Sequence, residues 1–213
     1  MSGALPRLHV VTDDAILARD GWHESAAAIM EAGGPDVALH VRGPRTSGGV
    51  LYHLADRLVP WARTNRAHVI VNDRVDVALV TDVDGVHLGR RSLSVAQARR
   101  ILGDRRTVGA SLHGDDEAAA VQAQGADYAF VGTIFSTPTH PGVPGMGTDG
   151  LARSVARALG LPLLGIGGID VGRVPDVVSA GAHGIAVVRG VWDHPDPPTA
   201  VVEYLSALAS ARR

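Results

Sequence analysis

One phrase recurs five times along this chain and leaves few architectures open to it: an Ala-rich helical stretch, a Gly, one to four residues, then a short apolar run. Glu31-Ala32-Gly33-Gly34 precedes Val37-Ala38-Leu39, and Gly103, Gly125, Gly160 and Gly181 play the same part. A Gly just past a helix end accepts the left-handed backbone that stops the helix, so each phrase marks a helix-to-strand junction. Reading outward from the junctions predicts eight strands, near 8–12, 37–42, 68–72, 85–88, 107–111, 128–133, 162–167 and 184–189. They are rich in Val, Ile and Leu with little alternation, as strands buried on both faces of a parallel sheet must be. Helical patterns lie between them. Ser94-Val95-Ala96-Gln97 is a capping box opening a helix that carries Val95, Ala98 and Leu102 on one face, and Val201, Leu205 and Leu208 mark the last helix. Strict alternation of this length predicts a closed (β/α)8 barrel, the TIM-barrel architecture, as a single domain over residues 1–213. The competing fold is an open doubly wound sheet, disfavoured because no Gly-rich dinucleotide turn follows the first strand.

Composition narrows the chemistry. All 20 basic residues are Arg, with no Lys and no Cys. Schiff bases, lysine general bases, Lys-dependent phosphate loops, thiolate nucleophiles and disulfides are thereby excluded. Proton transfer rests on the 10 His residues, the 22 carboxylates, Tyr or the substrate. A net charge of -2, with both signs interleaved, provides no footprint for nucleic acid. No apolar run reaches the roughly 18 residues of a membrane span and no leader pattern is visible, so a cytoplasmic protein is expected.

In such barrels the chemistry lies at the C-terminal ends of the strands. The polar residues ending the apolar runs are Thr12, Arg42, Asn72 with Asp73, His87, Ser111 with His113, Thr133, Gly167 with Gly168, and Arg189 with Gly190. Gly165-Ile166-Gly167-Gly168 ends strand seven and Val188-Arg189-Gly190 ends strand eight, where these barrels most often cradle phosphate on backbone N–H groups. The alternative is that the glycines only relieve crowding at a turn. Arg42 either pairs with a carboxylate inside the barrel or binds an anionic ligand. His40 reads as a barrel-interior residue, His87 and His113 as rim or functional groups, and His9, His23, His53, His68, His183 and His194 carry no assigned role. Residues 135–148 have almost no packing side chains after Phe135 and read as a binding loop or a disordered insertion.

Taken in order, Val10-Val11-Thr12-Asp13-Asp14, Val71-Asn72-Asp73-Arg74, Asp84-Gly85-Val86-His87-Leu88-Gly89, Gly109-Ala110-Ser111-Leu112-His113, Gly125-Ala126-Asp127-Tyr128 and Gly165-Ile166-Gly167-Gly168-Ile169 resemble the thiamine phosphate synthase family and its sister branch, the thiazole tautomerases. The resemblance covers essentially the whole chain. Synthases of this family join a thiazole phosphate to a hydroxymethylpyrimidine diphosphate, with Mg2+ holding the departing diphosphate. The resemblance implies that Arg42 binds diphosphate, that Asn72 and Asp73 form the Asn-Asp pair whose Asp helps bind Mg2+, and that Ser111, Thr137 and Thr139 are further ligand contacts. It implies a thiazole phosphate site at Gly167 and Gly168 with the backbone of Val188 and Arg189.

The chain departs from the synthase pattern in three places. Pro44 stands where a Lys is expected, with Arg45 as the nearest replacement; Ser92 stands for an Asp that binds Mg2+; His140 stands for a Lys. Two cations and one hard ligand would be missing beside a departing diphosphate. Gly89-Arg90-Arg91-Ser92-Leu93-Ser94 resembles the metal-free tautomerase branch, although the His that some tautomerases place after strand six corresponds to Thr133. The leading expectation is therefore a tautomerase-like isomerase with no cofactor, in which Arg42 holds a carboxylate, Thr133 contacts substrate, and His140 or His113 moves the proton. Synthase with an altered Mg2+ site at Asp73 is the second reading, and a ligand-binding relative without catalysis is the third. The partners expected are a thiazole phosphate and, for a synthase, a pyrimidine diphosphate, with no nucleic acid or membrane. The sequence carries nothing for or against a homo-oligomer.

Overall fold

The computed structural model describes residues 4–112, 117–137, 142 and 144–211. Eight parallel strands close in sequence order: β1 (Leu8–Val11), β2 (Val37–Val41), β3 (His68–Asn72), β4 (Gly85–Leu88), β5 (Thr107–Leu112), β6 (Tyr128–Gly132), β7 (Leu163–Ile166) and β8 (Gly184–Val187). β8 returns to pair with β1, with Leu8 opposite Ile185 and Val10 opposite Val187. The barrel expectation holds, and no open sheet forms.

Helices alternate with the strands. In chain order they are α1 (Asp14–Leu17), α2 (Trp22–Gly33), α3 (Gly48–Asn65), α4 (Val75–Val80), α5 (Val95–Leu102), α6 (Glu117–Ala123), α7 (Gly147–Arg157), α8 (Val174–Ser179), α9 (Arg189–Trp192) and α10 (Pro197–Ser210). Gly34, Gly103, Gly125, Gly160 and Gly181 all have positive φ at the junctions where the repeated phrase placed them. The capping box at Ser94 and Gln97 forms, and Val95, Ala98 and Leu102 are buried beneath α5. Residues 147 and 148, read from sequence as loop, open α7. No helix among the described residues is long and apolar enough to cross a membrane.

Two apolar clusters build the layers. The larger lies between the strands and the helices; the smaller, Val11, Tyr128, Phe130, Leu164 and Ala186, fills the barrel itself. The strand period of two sends His9, His40, Asn72, His87 and Ser111 to the same interior. Gly109 sits opposite Tyr128 in the register, and a Cβ there would lie 2.2 Å from the phenol ring, so the missing side chain makes room for Tyr128. The interior is thus filled by rings together with Val11 and Leu164, and the middle of the barrel carries buried polar groups.

Candidate active site

At the C-terminal ends of the strands a cavity of about 960 Å3 opens, reached by groups from β1 through β8. Its two sides differ in chemistry. On the side of β2, β3 and β4, Thr12 fastens Arg42: the Thr12 hydroxyl donates to the Arg42 carbonyl at 2.9 Å and accepts from the Arg42 N–H at 2.8 Å. The guanidinium of Arg42 lines the cavity without a carboxylate partner among the described residues. Of the two readings of Arg42, the internal ion pair has no counterpart among the described residues.

Asp73 follows Asn72 with φ 65°, a left-handed backbone that Asp tolerates better than most residues. Its N–H donates to the His87 carbonyl at 2.9 Å, which holds the turn against β4. Oδ1 of Asp73 accepts from the Gly89 N–H at 2.8 Å and from the Ser92 hydroxyl, while Oδ2 has no partner among the described residues. Ser92, singled out as a departure, is therefore in direct contact with Asp73. Arg90 and Arg91, from the same turn, line the cavity beside them. Arg74 lines it too, but its guanidinium is bound by Asp76, with Nε 2.8 Å from Oδ1. Arg45, the expected replacement for the missing Lys, is turned to Asp14, with its N–H 3.0 Å from Oδ1 and its side chain exposed away from the cavity lining. That expectation is corrected: the cations this lip offers come from Arg90 and Arg91.

Below the cavity the interior residues form two hydrogen-bonded chains. His9 Nε2 lies 3.2 Å from the Pro6 carbonyl and Nδ1 lies 2.8 Å from His40 Nε2; His40 Nδ1 then lies 2.9 Å from Asn72 Oδ1. Beside this chain, Tyr128 reaches His87 Nδ1 at 3.2 Å, and His87 Nε2 lies 2.9 Å from Ser111 Oγ. Burial holds the imidazoles neutral. It pushes His40 down to about 4 and His9 and His87 well below the usual range, the neighbouring rings adding to the effect for the latter two. His40 is the interior residue it was expected to be. His9 was given no role, and its partnership with His40 follows from strand parity, since it lies two residues before Val11, which also faces inward.

On the side of β6, β7 and β8, the expected glycine turn is held from outside. The carbonyl of Ile166 accepts from Ile134 N–H at 2.9 Å, that of Gly167 from Phe135 N–H at 3.0 Å, and that of Gly168 from Arg173 Nη1 at 2.7 Å. Arg173 also stacks over the Phe135 ring, 4.7 Å from its centroid. The N–H groups of Gly167 and Gly168 have no acceptor among the described residues. Thr133 packs against Gly167, and Thr137 and Val188 also line the cavity. Arg189 opens α9, and its guanidinium is held by Asp13 at 2.6 Å. Gly168 has φ 65°, and a Cβ there would lie 2.7 Å from the Ser136 carbonyl oxygen. Gly168→Ala is expected to cost about 1–3 kcal/mol of stability, read as a lowered unfolding midpoint. An unchanged midpoint would show that the turn yields freely.

Arg42, Asn72, Asp73, Ser111, Thr133, Thr137, Gly167, Gly168, Val188 and Arg189 are thus gathered around one mouth. His113, Thr139 and His140 lie outside the described residues. Sequence reasoning missed Arg90 and Arg91 as cavity cations, although their position directly after β4 was the available signal.

Residues 8–191 match the family model described as thiamine monophosphate synthase. The thiamine-phosphate synthase of Chloroflexus aurantiacus is 41% identical over 205 residues, covering 96% of this chain and 93% of that protein. The thiamine-phosphate synthase of Roseiflexus sp. (strain RS-1) is 36% identical over 205 residues, covering 96% and 86%. Among solved structures, thiamine phosphate pyrophosphorylase from Pyrococcus furiosus superposes with a TM-score of 0.83 at 29% identity, covering 96% of each chain. These relatives bear the synthase or pyrophosphorylase name, so the order of the two enzyme readings drawn from the sequence reverses and the tautomerase loses its lead. The chain is an enzyme of the thiamine monophosphate synthase family.

Proposed function

We propose that this enzyme is a thiamine phosphate synthase, a transferase that joins a thiazole phosphate to a hydroxymethylpyrimidine diphosphate. The observation that carries the reading is the lip formed by Asp73 and Ser92 in contact, with Arg90 and Arg91 beside them and Arg42 nearby, across the cavity from the glycine turn. One side suits a diphosphate and its cation; the other suits a single phosphate. Arg90 and Arg91, lining the same lip, supply two cations where the two Lys residues of the synthase pattern are missing.

The donor set fits Mg2+. This ion commonly binds through one or two carboxylates together with substrate phosphates and retained water, and it does not need an all-protein cage. Asp73 Oδ2 would be the carboxylate ligand, with Ser92 as a neutral oxygen beside it. A Mg2+ ion held there would supply positive charge beside the leaving diphosphate. Arg42, Arg90 and Arg91 bind the diphosphate oxygens and share that task. The N–H groups of Gly167 and Gly168 hold the thiazole phosphate, with the backbone of Val188 and Arg189 beside them, so that the nucleophile approaches from the opposite side. No enzyme histidine is required to move a proton between carbon atoms.

The test is to supply the purified protein with thiazole phosphate, hydroxymethylpyrimidine diphosphate and Mg2+, following thiamine phosphate, and separately with thiazole phosphate carboxylate alone, following isomerisation. Metal-dependent condensation is the expected result. Isomerisation without condensation would restore the tautomerase, and tight binding with neither reaction would indicate a relative that has lost catalysis. Ser92→Asp adds the second carboxylate. It is expected to lower the Mg2+ concentration for half-maximal rate by about tenfold, while lowering the unfolding midpoint in metal-free buffer because two carboxylates then face each other. An unchanged Mg2+ requirement would mean that Asp73 and Ser92 do not lie at the metal.

A further inference from the structure

The two buried chains beneath the mouth admit few proton arrangements, and counting donors and acceptors from the end of the barrel opposite the mouth decides between them. The Pro6 carbonyl can only accept, so the contact with His9 Nε2 requires the hydrogen on Nε2. Neutral His9 then has a lone pair on Nδ1, which accepts from His40 Nε2–H. Neutral His40 is left with a lone pair on Nδ1 facing Asn72 Oδ1, so two neutral rings, with two hydrogens for three contacts, satisfy all three only if the amide is turned about its Cβ–Cγ bond. An amide can satisfy a lone pair only through its NH2 group. The second chain is decided in the same way. The Tyr128 phenol is buried and stays protonated, its acceptor among the described residues is His87 Nδ1, and the hydrogen of His87 is therefore on Nε2. That hydrogen is donated to Ser111 Oγ, and the Ser111 hydroxyl hydrogen is left for the cavity.

We infer that His9, His40 and His87 are all Nε2–H tautomers, and that His40 and His87 are positioning residues fixing the polarity of the mouth: Asn72 turns Nδ2 to His40 and presents Oδ1 as an acceptor, while Ser111 presents its O–H as a donor. The ligand edge that fits brings an N–H or O–H to Asn72 and a lone pair to Ser111. A ligand with the opposite polarity leaves both groups unpaired in a partly buried site, which is the stronger form of discrimination. The inference deepens the synthase reading of the same mouth and rests on it only for its kinetic arm.

The spectroscopic arm uses the whole protein, 15N-labelled and without substrate, at pH 7. Long-range proton–nitrogen correlations report which ring nitrogen of each histidine carries hydrogen, with His9→Gln, His40→Gln and His87→Gln used for assignment. Protonated Nε2 and bare Nδ1 in all three rings is expected; a hydrogen on Nδ1 of any of them overturns the inference. The kinetic arm compares two variants. His40→Gln keeps an acceptor for Asn72 Nδ2 and is expected to leave KM within about threefold, whereas His40→Phe keeps the ring without the acceptor and is expected to raise KM about tenfold with a smaller change in kcat. Equal effects of Gln and Phe would overturn the positioning role. Absence of turnover in the parent protein counts against the synthase reading, while the spectrum still decides the tautomers.

Discussion

Asp73→Asn is expected to lower kcat/KM for the condensation by about a thousandfold, roughly 4 kcal/mol of transition-state stabilisation. The substitution keeps the shape of the side chain. Its remaining oxygen still accepts from Gly89 N–H and the Ser92 hydroxyl, and Asn tolerates a φ of 65° as readily as Asp does. What disappears is the negative charge and the lone pairs of Oδ2, the atom with no partner among the described residues. The unfolding midpoint should therefore stay close to that of the parent while the rate falls, and raising Mg2+ should recover part of it. Steady-state rates across a Mg2+ series with a parallel melt check this. Full activity in the variant would remove Asp73 from the metal site and with it the central support of the synthase reading.

Acid should weaken the fold in a window set by the buried imidazoles. In an unfolded chain a His titrates near 6.5, whereas His40 in the barrel does so at about 4. Above pH 6.5 neither state takes up the proton and His40 adds no pH dependence. Between pH 6.5 and 4 the unfolded chain binds a proton that the folded chain refuses, so stability falls as pH falls. By about pH 4 the loss from His40 alone is about 3 kcal/mol, and His9 and His87, displaced in the same direction, add to it. Denaturant unfolding at pH 7.5, 5.5 and 4.5 should show the decline, and His40→Gln should remove part of the slope. Constant stability from pH 7 to 4.5 would mean that the interior rings accept protons without cost.

The barrel was legible because its punctuation is local. A Gly such as Gly103 or Gly181 stops a helix by its own conformational freedom, whatever the rest of the chain does, and five such stops leave the strands almost no room to move. The strand ends were less legible. The first, second, sixth, seventh and eighth strands were read one or two residues too long at the mouth, where the backbone turns away from the ladder, as at Gly167 with φ 99° and at Arg189, which opens α9. The glycine side of the site was readable for a similar reason, since its N–H groups belong to the backbone. The lip was not. Arg45 and Arg91 are both arginines in loops after strands, and only the three-dimensional path of each turn sends the first to Asp14 and the second to the cavity. The match of Gly89-Arg90-Arg91-Ser92 to the metal-free branch rested on residue types, and the contact of Ser92 with Asp73 is not visible in such a match.

The closure of β8 onto β1 has a consequence for how the chain is made. Arg189 and Asp13 are separated by 176 residues, and so the seam of the barrel joins β1 to a strand synthesised long after it. Until residue 187 has emerged, β1 presents an open strand edge with the apolar Leu8 and Val10 beside it, a surface ready to pair with another chain. The later β8 emerges, the longer that edge stays open to other chains.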